Sequence, residues 1–301
     1  MAAQQVELGS RPVATIRRFR LQRGLRRAVL YLFVTAIALV FFAPFFWTIT
    51  SSLKRVDEVI LFPPRVFPLY PSPGNYPLVF QKVPFALFYR NTAIITLFAT
   101  LGTIVSTTVV AYGFARKRFP GRNLLFLLVL STMMLPGEVT LIPQFLLFKA
   151  FGWLDTYLPL IVPEYLAVGA FYIFLMRQFL MTVPRDFDEA AMLDGANTLQ
   201  ILFTVLLPLI QPAIITVAIL SFLNHWNDFF LPLIYLNSTE KLTLSIGLRF
   251  FQTMGGYAET SEPREHLLMA ASLMATLPCV VLFFVAQRYF VQGIVMSGIK
   301  G

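Results

Sequence analysis

The chain has 301 residues, 57% of them hydrophobic and 13% charged, with a mean hydropathy of +0.72. Soluble globular chains carry about 25% charged residues, so both an aqueous fold and intrinsic disorder are excluded. One cysteine (Cys279) and two histidines (His225 and His266) rule out a disulfide framework and argue against a Cys/His metal centre.

Read in chain order, Arg11, Arg17, Arg18, Arg20, Arg23, Arg26 and Arg27 precede an uncharged run from Ala28 to Leu53. That run is longer than the apolar core of a signal peptide and lacks a small-residue cleavage site after it, so it reads as a retained anchor. The following segment, up to about Arg90, holds prolines at 63, 64, 68, 71, 73, 77 and 84. It predicts an extended, turn-rich cover rather than regular helix. A second run spans Asn91 to Ala115, followed by Arg116, Lys117, Arg118 and Arg122. The third, Asn123 to Phe148, is interrupted only by Glu138, beside a Pro136-Gly137 pair that predicts a bend. The fourth, Thr156 to Met176, contains only Glu164, just after Pro163. The fifth runs from Ala196 to Asn227, with apolar character continuing past Asp228 to Leu236, and the sixth from His266 to Gln287.

Each run reaches the ~20 residues needed to cross a bilayer, and the short alternating segments of a membrane β-barrel are absent. The expectation is an all-α membrane protein with six transmembrane helices. Its organisation reads as a basic segment over 1–27, a six-span domain over 28–290 that includes an informative loop at 182–208, and a tail over 291–301. Of the 24 Lys and Arg, 15 fall on the side of the N-terminus. The positive-inside rule therefore places both termini in the cytoplasm. The net charge of +9 reads as this topology signal beside anionic headgroups, not as a nucleic-acid surface.

Enzymatic constellations are missing. The chain has no HExxH, no GxSxG and no GxxxxGK[ST], nor any Gly-Lys pair. Any ATP that drives it must bind another subunit. A mitochondrial-type carrier would need three Pro-x-[Asp/Glu]-x-x-[Lys/Arg] copies, and only the single, imperfect Pro184–Glu189 segment comes near. An aquaporin-like channel would need paired Asn-Pro-Ala, and only Gln211-Pro212-Ala213 approaches it.

The loop from Thr182 to Asn197 reads as a short helix with marked ends. Pro184 suits a first turn, Asp186, Asp188 and Glu189 suit the positive end of the helix dipole, and Gly195 suits a left-handed terminator. Phe187, Ala190 and Ala191 share a face, and the two alanines leave the backbone open to a partner. An amphipathic interfacial helix would fit the same features.

The wider pattern narrows the choice. Glu189-Ala190-Ala191, three residues, Gly195, nine residues and Val205-Leu206-Leu207-Pro208 resemble the EAA motif of ABC importer permeases, with Val205 in place of Ile. Phe45 to Thr48, Ser51 to Lys54, Asn75-Tyr76, Ala111 to Arg116, Met134 to Pro136, Trp226 to Phe229 and Gly298 to Gly301 extend the resemblance along the chain. It is similar to the carbohydrate uptake class 1 group, the maltose-type G subunit in particular. The resemblance implies a type I importer permease in the bacterial plasma (inner) membrane. It implies a second, F-type permease, a dimer of ATPase subunits holding ATP and Mg, and an extracytoplasmic substrate-binding protein. It also implies no cofactor in this chain. The motif helix becomes the coupling helix, with Glu189, Ala190, Ala191, Gly195 and Pro208 its working residues; capping and kinking alone would also account for Gly195 and Pro208.

Charged groups at membrane depth are functional candidates by default. Glu138, Glu164 and Asp228 fall at mid-to-outer depth, and Asn224, Trp226 and Asn227 join them as candidates for a sugar passage, since amides bond hydroxyls and rings cover C–H faces. Interhelical pairing is the competing account. Glycerol 3-phosphate or another polyol derivative is the alternative cargo, and a channel or scaffold without ATP linkage the alternative class.

Overall fold

The structure, a computed structural model, describes residues 13–253 and 264–297, and among them every regular element is helical. Helix α1 (Val13–Ser52) is long and apolar, with a membrane-length stretch from Gly24 to Ser52 that is exposed from Gly24 to Phe45. Only its last turn is enclosed. There the Asn75 amide donates to the Ser52 and Lys54 carbonyls, at 2.8 Å each, and the Tyr76 and Ser52 hydroxyls meet at 2.9 Å. A helix end leaves carbonyls without partners, and this clamp satisfies that of Ser52.

The proline-rich segment differs from the helix-free cover that its composition predicts. It contains α2 (Asn75–Lys82), because Pro77 falls in the first turn, where a missing N–H leaves no bond unmade. Helix α3 (Phe85–Arg116) starts directly after Pro84. The third apolar run divides at Pro136 into α4 (Arg122–Ser131), with a 3₁₀ turn to Met134, and α5 (Gly137–Ala150), bent by 99°. Pro136 disfavours the helical region for Leu135, which is extended at φ −83°, ψ 120°.

The fourth run is irregular in its first half and reaches beyond its predicted end. A turn of helix at Leu158–Ile161 and a 3₁₀ segment at Val162–Leu166 lead through left-handed Ala167 (φ 59°) into α6 (Ala170–Thr182). Next comes α7 (Asp186–Leu193). Pro184 lies before this helix, not in its first turn. The fifth run opens with an Asn197/Gln200 capping box and a π-helical stretch at Ile201–Leu206, where Leu207 N reaches back to Leu202 O. Pro208 has no N–H to continue the α-ladder. The chain turns by 82° at Ile210, two residues beyond Pro208, before α8 (Gln211–Asn227). Helices α9 (Phe230–Tyr235), α10 (Leu244–Thr253) and α11 (Glu265–Ser297) complete the described chain. Four of its helices are long and apolar enough to cross a membrane, or up to six if each bent pair is one span. Gly255-Gly256 and the tail Gly298–Gly301 lie outside the described residues.

Helix α3 is the centre of the packing, against α8, α6 and the 3₁₀ segment, while α1 lies along α11. Its ends enter two apolar clusters: Phe85 and Phe88 with Trp226, Tyr235 and Leu267 at one end, Tyr112 and Phe114 with Met176, Leu180, Leu202 and Leu206 at the other. Between them α3 carries buried Thr96, Thr103, Ser106 and Thr107. Without a hydrophobic drive between helices in lipid, small side chains and hydroxyls of this kind hold a bundle together.

Candidate functional site

Helix α7 ends as its sequence predicts. Gly195 is left-handed at φ 82°, Ala196 N donates to Ala191 O at 2.9 Å and Gly195 N to Met192 O at 3.0 Å, the paired bonds of a Schellman cap. Its faces divide differently from the predicted grouping. Ala191 is buried against the chain's own bundle and Asp188 points the same way. Glu189, Ala190, Phe187 and Leu193 are exposed. Only Glu189 and Ala190 of the Glu-Ala-Ala trio are therefore open to a partner.

Asp188 has a use that sequence reading missed. Arg116 Nε stands 3.4 Å from Asp188 Oδ2, with the two side chains 6% and 8% exposed, and Arg116 Nη2 donates to Val183 O at 2.9 Å. The last residue of α3 is thus joined to α7 and to the segment that precedes it. In the sequence, Arg116 reads as one topology charge among several.

About 13 residues back along α3, roughly 20 Å at 1.5 Å per residue, the same helix holds a second polar group. The Thr103 hydroxyl lies 2.7 Å from Glu164 Oε2 and 3.0 Å from its own Ala99 carbonyl, Ser106 donates to the Glu164 carbonyl at 2.7 Å, and Ser221 of α8 donates to Thr103 at 3.1 Å. His225 Nε2 lies 3.9 Å from Glu164 Oε2, too far for a hydrogen bond. Gly102 makes room for this arrangement: a Cβ there would meet the Tyr165 ring at 2.6 Å.

Glu164, His225 and Asp228 line one cavity of about 400 Å³, together with Gln144, Trp153, Tyr235 and Thr243. Asp228 Oδ1 accepts from Phe230 N (3.1 Å) and Leu231 N (3.3 Å), which starts α9. His225 Nε2, Tyr235 Oη and Thr243 Oγ1 are buried without a hydrogen-bond partner among the described residues. The cavity lining contains no Lys or Arg.

The other predicted passage residues are elsewhere. Glu138 is exposed at the start of α5 and is not part of this lining. Trp226 is a core residue: 5% exposed, it donates from Nε1 to Ala275 O at 3.0 Å and stacks on Phe222. Asn227 donates to its own helix at Leu223 O (2.8 Å), and Asn224 is exposed. Helical spacing explains the division, because consecutive residues 224–228 must point in different directions. Among the described residues no group of three or more His, Cys, Asp or Glu could hold a metal ion.

At the end of the molecule away from α7, loops are pinned to α3. Asn91 Nδ2 donates to the carbonyls of Glu240 (2.8 Å) and Leu242 (3.0 Å). Asp155 accepts from the Asn237 and Ser238 N–H groups, the Ser238 hydroxyl and Lys241 Nζ. The Ser238 hydroxyl first, then these backbone donors, holds the Asp155 carboxyl well below the usual carboxylate range.

Residues 100–296 match the family described as binding-protein-dependent transport system inner membrane component. The chain is 34% identical over 284 residues to the arabinooligosaccharides transport system permease protein AraQ of Bacillus subtilis, covering 93% of this chain and 98% of that one. It is 30% identical over 281 residues to the trehalose/maltose transport system permease protein MalG of Thermococcus litoralis, covering 92% and 98%. Among solved structures, a chain of a bacterial ABC transporter involved in the import of the acidic polysaccharide alginate superposes with a TM-score of 0.78 at 27% identity, covering 94% of this chain and 100% of that one.

Proposed function

Because the chain belongs to the family of binding-protein-dependent transport system inner membrane components, multi-pass proteins of the plasma membrane, we propose that it is one permease subunit of an ATP-driven importer for a sugar or oligosaccharide. In this reading the two bent helix pairs each count as one span, giving six, with both termini cytoplasmic. Helix α7 is the coupling helix, seated on an ATPase subunit that holds ATP and Mg. A second permease completes the passage, and a substrate-binding protein delivers the cargo.

One observation supports this reading above the others: the line of contact from α7 to the cavity. Glu189 and Ala190 face outward, Asp188 is paired with Arg116 at the foot of α3, and α3 carries the hydroxyls that hold Glu164 at the cavity. A rotation of α7 imposed from outside must move α3, and with it the cavity wall. In this reading that linkage lets the ATPase drive the exchange of cavity states that such a transporter needs. The permease breaks no bonds; it exchanges one cavity state for another.

The cargo reading follows from the lining. Unpartnered His225, Tyr235 and Thr243 atoms can bond hydroxyls, and Trp153 supplies an aromatic face. The acids Glu164 and Asp228, with no lining Lys or Arg, disfavour glycerol 3-phosphate. The test is reconstitution of the complete transporter with its binding protein and a panel of neutral oligosaccharides and glycerol 3-phosphate. A neutral saccharide is expected to stimulate ATP hydrolysis and uptake together. In Glu189→Ala and Gly195→Asp, hydrolysis should persist while uptake falls at least tenfold. Wild-type uptake in both variants would refute the role of α7, and stimulation by glycerol 3-phosphate alone would refute the cargo.

A further inference from the structure

Beside α7, a cavity of about 290 Å³ opens between the end of α3, the start of α4 and the end of α6. Arg116, Arg122, Arg177 and Arg185 all line it, and no carboxylate does. Arg116 is already engaged with Asp188 and Val183 O, and Arg122 makes long bonds, 3.3 Å each, to Asn123 Oδ1 and Lys117 O. The Arg177 Nε is buried with no hydrogen-bond partner among the described residues, its guanidinium resting 4.1 Å over the Phe126 ring. Gathering like charges around one space is unfavourable unless an anion bridges them, and guanidinium groups match phosphate in geometry as well as charge.

Depth and surroundings say which phosphate. Arg177 lies five residues before the end of α6 at Thr182, about 8 Å in from the loop plane. For a span that ends at Thr182, that depth is the boundary between headgroups and acyl chains, where long basic side chains reach back to the interface. Beside it, α4 presents exposed Leu124, Leu125 and Leu128, and exposed Met181 of α6 lines the cavity itself. A free phosphate would make no use of this apolar wall; a lipid tail would lie along it. Basic pockets between transmembrane helices are suited to acidic headgroups.

We propose that this cavity seats the phosphate of an anionic glycerophospholipid, bound between α3, α4 and α6 beside α7. The site needs only that this end of the bundle meets a leaflet's headgroups, so it does not depend on the cargo or on the direction of transport. The test uses the complete transporter, ATPase subunits included, in vesicles of phosphatidylcholine mixed with phosphatidylglycerol, with retained lipid counted by native mass spectrometry after extraction. Phosphatidylglycerol should be retained at least tenfold over phosphatidylcholine, and Arg122→Gln/Arg177→Gln should reduce that retention about tenfold. The wild-type comparison stands even where the double variant fails to fold. Equal retention of the two lipids overturns the proposal, as does unchanged retention in a folded double variant. Displacement of the lipid by millimolar inorganic phosphate would mark a small-anion site instead. Lipid bound to the permease pair but absent from the complete transporter would assign the cavity to the ATPase interface.

Discussion

Arg116 and Asp188 are opposite charges withdrawn almost completely from water, 6% and 8% exposed. A buried pair is weak evidence of net stabilisation, but removing one partner strands the other charge at a cost of about 3–5 kcal/mol. Asp188→Asn should therefore lower the melting temperature of the purified transporter and impair uptake. Arg116→Met combined with Asp188→Leu should recover most of the melting temperature and not the uptake. A single variant as stable as wild type would show that the pair anchors nothing. Asp155 offers a pH test with a definite sign. Its carboxyl is held below the usual range in the folded chain, so the unfolded chain binds a proton first as pH falls. The stabilisation is complete above the ordinary carboxylate value of about 4 and is lost as pH drops below it. Thermal melting should thus weaken below about pH 4, and Asp155→Asn should make that acid limb shallower; identical limbs would refute the assignment. Gly195 was legible from spacing because only a left-handed terminator suits that position. His225 was not, since nothing in a lone histidine between Asn224 and Trp226 announces that Glu164 faces it from 61 residues away.

At the scale of elements, proline decides where the long apolar runs break. Pro136 and Pro208 each withhold an N–H, and the chain bends by 99° and 82° nearby. The first bend was readable from Pro136-Gly137; the second falls at Ile210, after a short α-turn at Leu207–Leu209 that holds Pro208. Helix α3 depends on a small residue instead. The Tyr165 ring occupies the space a Cβ of Gly102 would take, at 2.6 Å, and Tyr165 adjoins Glu164. Gly102→Leu should push the 3₁₀ segment from α3, at an overpacking cost of about 1–3 kcal/mol, and reduce uptake while the transporter still assembles. Gly113→Ala, on the same helix with nothing within 4 Å, is the control and should behave as wild type. Normal uptake in Gly102→Leu would mean that this close approach is dispensable.

For the molecule as a whole, the open question with a simple measurement is orientation. Cys279 is the single native cysteine, so a Cys279→Ser background accepts reporter cysteines cleanly. Pro120→Cys, between α3 and α4, should react with a membrane-impermeant maleimide only after the cells are opened. Glu240→Cys, between α9 and α10, should react in intact cells. The reverse pattern would invert the topology. The exposed apolar length of α1, from Gly24 to Phe45, belongs to the same scale: lipid or a second permease must cover it, for water would not.

The linear sequence by itself determined the solvent, the all-helical class, the bend at Pro136 and the stop of the motif helix at Gly195. Each follows from local chemistry: hydropathy over about 20 residues, the missing N–H of proline, the left-handed tolerance of glycine. Tertiary structure alone decided which polar groups meet. Asp188 went to Arg116, Glu164 to Thr103 and Ser106, and Trp226 to the core while His225 joined the cavity. In the long helices α1, α3 and α11, apolar nearly all round, no amphipathic stripe states which face turns inward. The few polar side chains find their partners only once the helices are packed.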